Sequence, residues 1–492
     1  MKRLLFIWLT GTILSANAQS GTTVRLITLA EAIRLARMQS VDALVALNEL
    51  KTAYWEYRTY RANLLPEVNF DSTIPSYHKN YDAYQQENGD YKYLRNDYMQ
   101  LKGNLSIDQH IWLTGGTLSL NTSLDYLKLF GGKKAESYMS IPVAVRLDQP
   151  IFGVNTVKWN RRIEPVRYKE AKAAFLSATE KVTMATITGF FDLLLAKEKV
   201  IICKQNLTNA EKLYEIAKVK REMGQISEND LLQLQLNVLT AKSTLTDNES
   251  NLKSHMFKLR SFLAIGEGEE LEPVLPEAIP DVMLSYDKVL NKALANNSFA
   301  LNIRRRQMEA DYEVAKAKGN RRQMTLYAQV GLTGTDRSLA DAYRGLKSNR
   351  VVEVGVKIPI LDWGKKKGSV KMAESNRQVT QSKLQQETMN FSQNLFILVE
   401  RYNNQRIQLD IADLSDHIAK KRYDTNVKTF LIGKISTLDL NDSQIKKDEA
   451  RQQHITQLFY YWYYYYQLRS LTLWDFERRT DIEVDFEKII RG

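Results

Sequence analysis

The sequence is poor in the residues that most chemistry requires. One cysteine, Cys203, stands among 492 residues, so no internal disulfide can form, and its place in a helical pattern suits a small buried apolar side chain. The five histidines, at 78, 110, 255, 417 and 454, are scattered. No His-Glu-x-x-His pair, glycine-rich phosphate loop or nucleophile elbow accompanies them. No catalytic residue, metal site or cofactor is indicated, and the chain reads as a non-enzyme. Charge of one sign is not gathered into a domain either: 69 basic and 57 acidic residues give a net +12, but they are interspersed. That is a solvated surface and not a nucleic-acid-binding domain.

Long apolar runs are missing too. Beyond the first residues nothing approaches the roughly 18 apolar residues of a spanning helix. The first residues themselves look like a secretory signal, 1–18: Lys2 and Arg3 precede an apolar run from Leu4 to Leu14, and Ala16-Asn17-Ala18 is the small-x-small pattern of a cleavage site. The mature chain is expected to start at Gln19, not at a lipid-bearing cysteine. An exported chain without a spanning helix is soluble or enters a membrane as strands.

What the sequence does have is an internal duplication. Pro150 in RLDQPIF matches Pro359 in VKIPILD, 209 residues on, and Gly224, Asp230 and Gln235 match Gly433, Asp439 and Gln444 at the same offset. Length is therefore constrained between the proline and the glycine. Earlier, EAIRLARMQSVDAL from Glu31 resembles KVLNKALANNSFAL from Lys288, an offset of 257, which places an insertion in the first copy between about Phe70 and Ile141. The copies are expected at 19–265 and 284–470, joined by the acidic, proline-rich stretch 266–283 and followed by a tail, 471–492.

Each copy changes period in the same order, giving an α+β, mostly helical fold class built from a helix-strand-long helical hairpin unit. The spacing predicts a helix from Thr28 to about Asn63, with Thr28 and Glu31 as a capping pair. Alternation at Val143, Val145 and Leu147, at Leu118, Leu120 and Leu124, and at Val352, Val354 and Val356 predicts strands with one apolar and one polar face, of a length to cross a bilayer. The alternative is a half-buried strand in a soluble sheet. Pro150 and Pro359 mark strand-to-helix junctions. The 73 residues between Pro150 and Gly224 would make a helix of roughly 110 Å, too long for a globular core. Two adjacent stripes on the returning helix, Leu231, Leu234, Val238 and Leu232, Leu236, Leu239, favour a closed cylinder of helices. The aromatic run FYYWYYYY, 459–466, is expected to pack where helix meets sheet.

With its opening TLAEAIRLA, its LLPEVNF step, its RLDQPIF and KIPILDWGKKKG junctions and its twin Gly-x-Ile-Ser turns, the chain resembles the TolC-like outer-membrane efflux factors across essentially its whole mature length. The resemblance implies a homotrimer whose strands close one transmembrane β-barrel in outer-membrane lipid, four strands per chain, continued by a periplasmic α-helical barrel. It implies a channel of a tripartite efflux or type I secretion system of a Gram-negative bacterium, meeting a periplasmic adaptor and an inner-membrane pump. The tip turns would be Gly224, Gln225, Ile226 and Ser227, and Gly433, Lys434, Ile435 and Ser436. Locally, a glycine can end a helix in the left-handed region and a serine can cap the next. Family acids at positions matching Asp439 and Asp442 ring the periplasmic aperture, with Asp230 the acidic partner in the first copy; capping is the other reading for Asp439 and Asp230. Phe430 and Ile435 stand where the best-known members have the tyrosine and arginine of the gate, so that closing mechanism does not transfer. A non-transport surface scaffold or adhesin is the competing function, and it leaves the duplication unexplained. The insertion could add an extracellular hairpin or two further staves.

Overall fold

The computed structural model describes residues 23–491, apart from 88, 131–134, 267, 277–281, 322, 358–360 and 433. The expected signal 1–18, Pro359, Gly433 and much of the stretch 266–283 lie outside the described residues.

The first copy runs β1 (Thr23–Ile27), α1 (Leu29–Gln39), α2 (Val41–Ala62), β2 (Glu67–Gln85), β3 (Tyr91–His110), β4 (Thr117–Leu129), β5 (Ala135–Pro150), α3 (Thr156–Glu222), α4 (Glu228–Phe262) and β6 (Glu269–Pro273). The second runs α5 (Tyr286–Asn296), α6 (Ser298–Gly319), β7 (Gln323–Asp336), α7 (Leu339–Ala342), β8 (Lys347–Lys357), α8 (Lys365–Leu431) and α9 (Thr437–Thr472). A short ending of β9 (Trp474–Asp475), β10 (Thr480–Asp481) and α10 (Phe486–Arg491) follows.

The single helix expected from Thr28 to Asn63 is two. Ser40 takes an extended backbone, φ −66° and ψ 149°, and its hydroxyl accepts from Ala43 N at 3.2 Å, so one helix stops and another is capped at one residue. Asn297, at the matching place, does the same with φ −72° and ψ 147° and accepts from Phe299 N at 2.8 Å. Thr28 caps α1 as expected, accepting from Glu31 N, but Glu31 turns to Arg25 instead of closing a box.

α3 and α8 each contain 67 residues, and both their first and last residues are 209 apart. At 1.5 Å per residue each is about 100 Å long, shorter than the 110 Å expected because α3 starts at Thr156, where Asn155 accepts from Lys158 N at 2.8 Å. Pro165 lies inside α3 without ending it. α3 packs on α2, α4, α6 and α9, and α8 on α6 and α9, so the helices form four side-by-side columns: α2 with α4, then α3, then α6 with α9, then α8.

The core sits at the waist of these columns. Phe190, Phe191 and Leu193 of α3 meet Leu259 and Leu263 of α4, Leu395 and Tyr402 of α8, and Ile27 and Leu271 of the parallel β1–β6 pair. The aromatic run lies here and not at the sheet junction. α9 has 36 residues and reaches only about 54 Å from the tip, so Tyr461 and Tyr465, each 2% exposed, join Tyr402 in the waist. Cys203 is half-buried, with Asn248 at 3.6 Å, and burial pushes its thiol up.

The strands form one sheet in the order β2-β3-β4-β5-β7-β8, antiparallel at every step. The insertion is thus two further staves in the same sheet, which has six among the described residues where the resemblance implied four. The copies join at β5 and β7, Val145 opposite Val330. Among the described residues no helix is long and apolar enough to cross a membrane.

Replacing Phe190, which has no exposed surface, by alanine should lower stability by about 3–5 kcal/mol through the cavity left at the waist. The urea midpoint of the helical circular-dichroism signal in detergent measures it; an unchanged midpoint would mean the waist is not the core.

Candidate functional site: an amphipathic sheet wall and two hairpin tips

Register makes the sheet two-faced. Val68, Ile107, Leu120, Val145 and Val330 are successive partners across five strands, and Leu118, Leu147, Ala328 and Val352 form the next row. These side chains are open to the surroundings: Phe70 is 69% exposed and Val352 74%. The alternate positions are polar, in rows Asn69, Ser106, Asn121 and Glu67, Asp108, Ser119, Arg146, Gln329. On that face Asp108 accepts from Ser106 Oγ at 2.8 Å and from Ser119 Oγ, while Ser106 and Ser119 are buried. An apolar face left bare beside a polar face that bonds to itself is the arrangement a strand wall takes between lipid and water.

At the other end, each long hairpin closes with the same turn. Gly224 has φ +69°, a left-handed backbone that glycine alone adopts without penalty. Its N–H donates to Arg221 O at 2.9 Å and that of Gln225 to Lys220 O at 2.8 Å, the paired bonds of a Schellman ending. Lys434 N donates to Thr429 O at 3.1 Å, the matching bond 209 residues on. Ser227 then caps α4: its hydroxyl oxygen accepts from Asp230 N at 3.1 Å, and Asp230 Oδ2 accepts from Ser227 N at 3.2 Å. Ser436 and Asp439 repeat the box at 3.2 and 3.1 Å. Both aspartates are held below the usual carboxylate range, chiefly by the serine hydroxyl and then by the serine N–H, with Arg422 adding to Asp439.

Asp442 is three residues past Asp439 and its carboxylate meets Arg422 Nη2 on α8 at 2.8 Å. Sequence reading missed Arg422, although it and Asp442 are equally far from Ile432 and so face each other once the chain folds back there. The first copy has Leu213 and Gln233 at the matching positions. Lys220 Nζ lies 5.9 Å from the Phe430 ring centroid, bringing the two hairpins together near their tips. Ile226 and Ile435 are half-buried, while Met223, Ile432 and Leu438 stand 59, 67 and 77% exposed.

A strand wall with its apolar side outward, carrying paired 67-residue helices that turn back at matched tips, defines an outer-membrane channel of the efflux class. Residues 32–264 match the family described as outer membrane efflux protein. No curated protein sequence matches the chain. Among solved structures it is similar to the CmeC outer membrane channel of Campylobacter jejuni, at 16% identity and TM-score 0.66 over 94% of this chain and 88% of that one. It is also similar to the outer membrane protein VceC of Vibrio cholerae, at 13% and 0.61 over 90% and 95%. The open state of the Neisseria gonorrhoeae MtrE channel gives 13% and 0.57 over 93% and 91%. The chain is an outer-membrane transport channel, not an enzyme, with its helices extending into the periplasm.

Because both tip aspartates have folded-state values below their unfolded ones, the stabilisation they give is complete above about pH 4 and is lost as pH falls through the lowered values. Amide protection at Asp230 and Asp439 should drop together under acid while the waist stays protected. Ser227→Ala or Ser436→Ala should cost about 1 kcal/mol and weaken that acid step at its own tip only, since the backbone N–H still donates to the aspartate. Hydrogen exchange followed by mass spectrometry reads both; an acid step undiminished by Ser436→Ala at the second tip would contradict the capping geometry.

Proposed function

We propose that the protein is the outer-membrane duct of a tripartite efflux or type I secretion system. It works as a homotrimer that receives small toxic compounds or secreted polypeptides from a periplasmic adaptor and inner-membrane pump. The observation that carries this reading is the pairing of a bare apolar sheet face with two tips set at equal distance from it. A surface scaffold has no need of either, because it neither faces lipid nor presents a ring of turns to a partner. The exposed apolar trio Met223, Ile432 and Leu438 at the tips suits a docking adaptor.

In this reading Asp439 and Asp442, with Asp230 beside them, line the periplasmic aperture. Each trimer would carry three Arg422–Asp442 pairs, half-exposed and so individually weak. Arg422 tempers the field of the acids without cancelling it, since Asp439 spends its carboxylate on uncharged donors of Ser436. The aperture therefore favours cations.

Two experiments test these statements. Gly224→Val forces a β-branched residue into the left-handed region at a cost of roughly 1–2 kcal/mol, so cells should lose tolerance to exported toxic compounds while trimer still reaches the membrane. Unchanged tolerance and adaptor cross-linking would remove the tip from docking. In planar bilayers, Asp439→Ala with Asp442→Ala should abolish cation preference and block by multivalent cations on the periplasmic side. Asp442→Ala alone, which also frees Arg422, should move selectivity toward anions. Selectivity indifferent to both variants would place these acids outside the lumen.

A further inference from the structure

The apolar face of the sheet is not flat at its far end. β2 leaves the helices at Glu67, so the segment between β7 and β8 lies at the end away from the periplasm. From Leu147 to Tyr138 along β5 the outward side chains climb nine residues, about 23 Å for a strand tilted by about 40°. That is close to the height of the apolar band such walls present to lipid. Tyr126 and Tyr138, cross-strand partners with ring centroids 4.9 Å apart, stand at its upper edge, where interfacial aromatics belong.

At that edge the face is hollowed into a groove of about 710 Å³, within the roughly 300–1,000 Å³ of sites that hold small molecules. Gly103 is its floor, with the Phe70 ring 3.7 Å from where a Cβ would stand. Leu105 and Leu124 line it, and Tyr343 adds a wall from beyond β5. Tyr343 is brought there because the segment after β7 folds back over the outward face. α7 packs on β5 and β7, Ser140 Oγ donates to Ala342 O at 2.6 Å, and a Cβ at Gly334 would run into that same carbonyl. Register shifts at Thr73/Ser76 in β2 and at Ser140/Val143 in β5 bracket the groove, as bulges do where a sheet bends. A lining of apolar and aromatic side chains favours hydrocarbon over water.

Positive charge stands at the rim. Arg337 and Arg344 bracket the α7 segment, and both are exposed. Arg344 meets Asp341 at 3.6 Å, a loose pair, and the Asp336 carboxylate accepts from the backbone N–H groups of Arg337 and Ser338 at 2.6 and 3.2 Å. Other outward charges at this height are paired with each other, Lys128 with Glu136 at 2.7 Å and Arg95 with Asp97. We propose that the groove seats the phosphorylated glycolipid of the outer leaflet, with an acyl chain along Gly103 and Leu124 against Tyr343 and a sugar phosphate on Arg337 and Arg344. A guanidinium forks onto phosphate oxygens, which an ammonium does not. Such a lipid carries its hydrocarbon below and its phosphates above, the order in which the protein offers apolar groove and basic rim. The proposal needs the outer-membrane placement of the sheet and is independent of what the duct carries or which pump feeds it.

Native mass spectrometry of the full-length protein tests the seat. The protein is delipidated in detergent and given either lipid A or phosphatidylglycerol. Lipid A should persist as discrete adducts of a single lipid per chain, held about tenfold or more tightly than phosphatidylglycerol. Gly103→Leu fills the floor of the groove and should remove these adducts. Tyr343→Ala opens the groove at an exposed position and should weaken them, which keeps the test valid where Gly103→Leu does not fold. Arg337→Gln combined with Arg344→Gln alters two exposed side chains only and should weaken lipid A by about tenfold or more. Equal retention of the two lipids, or lipid A indifferent to the arginine pair, would overturn the glycolipid assignment. No adduct on the parent protein, or adducts unchanged by both Gly103→Leu and Tyr343→Ala, would overturn the seat itself.

Discussion

The length of the two long helices is the constraint from which the rest follows. α3 and α8 have 67 residues each, and they hang from one sheet, so their lower ends reach one level only if neither gains or loses a residue. A one-residue change would displace a tip by about 1.5 Å and rotate every side chain below it by about 100°. This explains why the offset stays at 209 from the junction to the returning helix but is different before it. Insertion is tolerated in the sheet, where an added hairpin supplies its own pairing, and not in the long helices.

Polarity is inverted between the two ends. At the waist, apolar residues of α3, α4, α8 and α9 are withdrawn from water around Phe190 and Tyr402 as in any soluble bundle. In the sheet the apolar rows are left outside and serines with Asp108 bond to one another on the opposite face. One chain thus carries two solvents' worth of patterning, and the switch falls at the strand-to-helix junction. Asn155 secures that junction in the first copy by capping α3 and donating to Trp112 O and Leu113 O at the inserted turn between β3 and β4.

The two copies share what is geometric and differ in what is local. The helix break at Ser40 and Asn297, the Schellman bond at each tip and both capping boxes are repeated. The inserted hairpin belongs to the first copy, and the Arg422–Asp442 pair to the second. A threefold assembly of such chains would alternate two kinds of tip around its opening, one with the Arg422–Asp442 pair at 2.8 Å and one with the looser Arg221–Glu228 contact at 4.0 Å, meeting where Lys220 approaches Phe430.

Much of this was legible in the linear chain, because periodicity and caps are local. The strand alternation, the serine-aspartate boxes, the positive φ at Gly224 and the duplicated turn each depend on residues within a few positions of one another. The break at Ser40 was local too, but a polar residue on an otherwise helical stripe does not announce an extended backbone. Three features needed the tertiary structure. The aromatic run falls at the waist because α9 is about half as long as α8. Arg422 finds Asp442 only when the hairpin has closed. The inserted strands join the sheet because β3 and β4 find β2 and β5 as hydrogen-bonding partners, and alternation alone says that a segment has two faces without saying which strand lies beside it. Sequence determines the period and the cap, which are properties of one segment. Partnership is a property of two, and only the folded chain decides it.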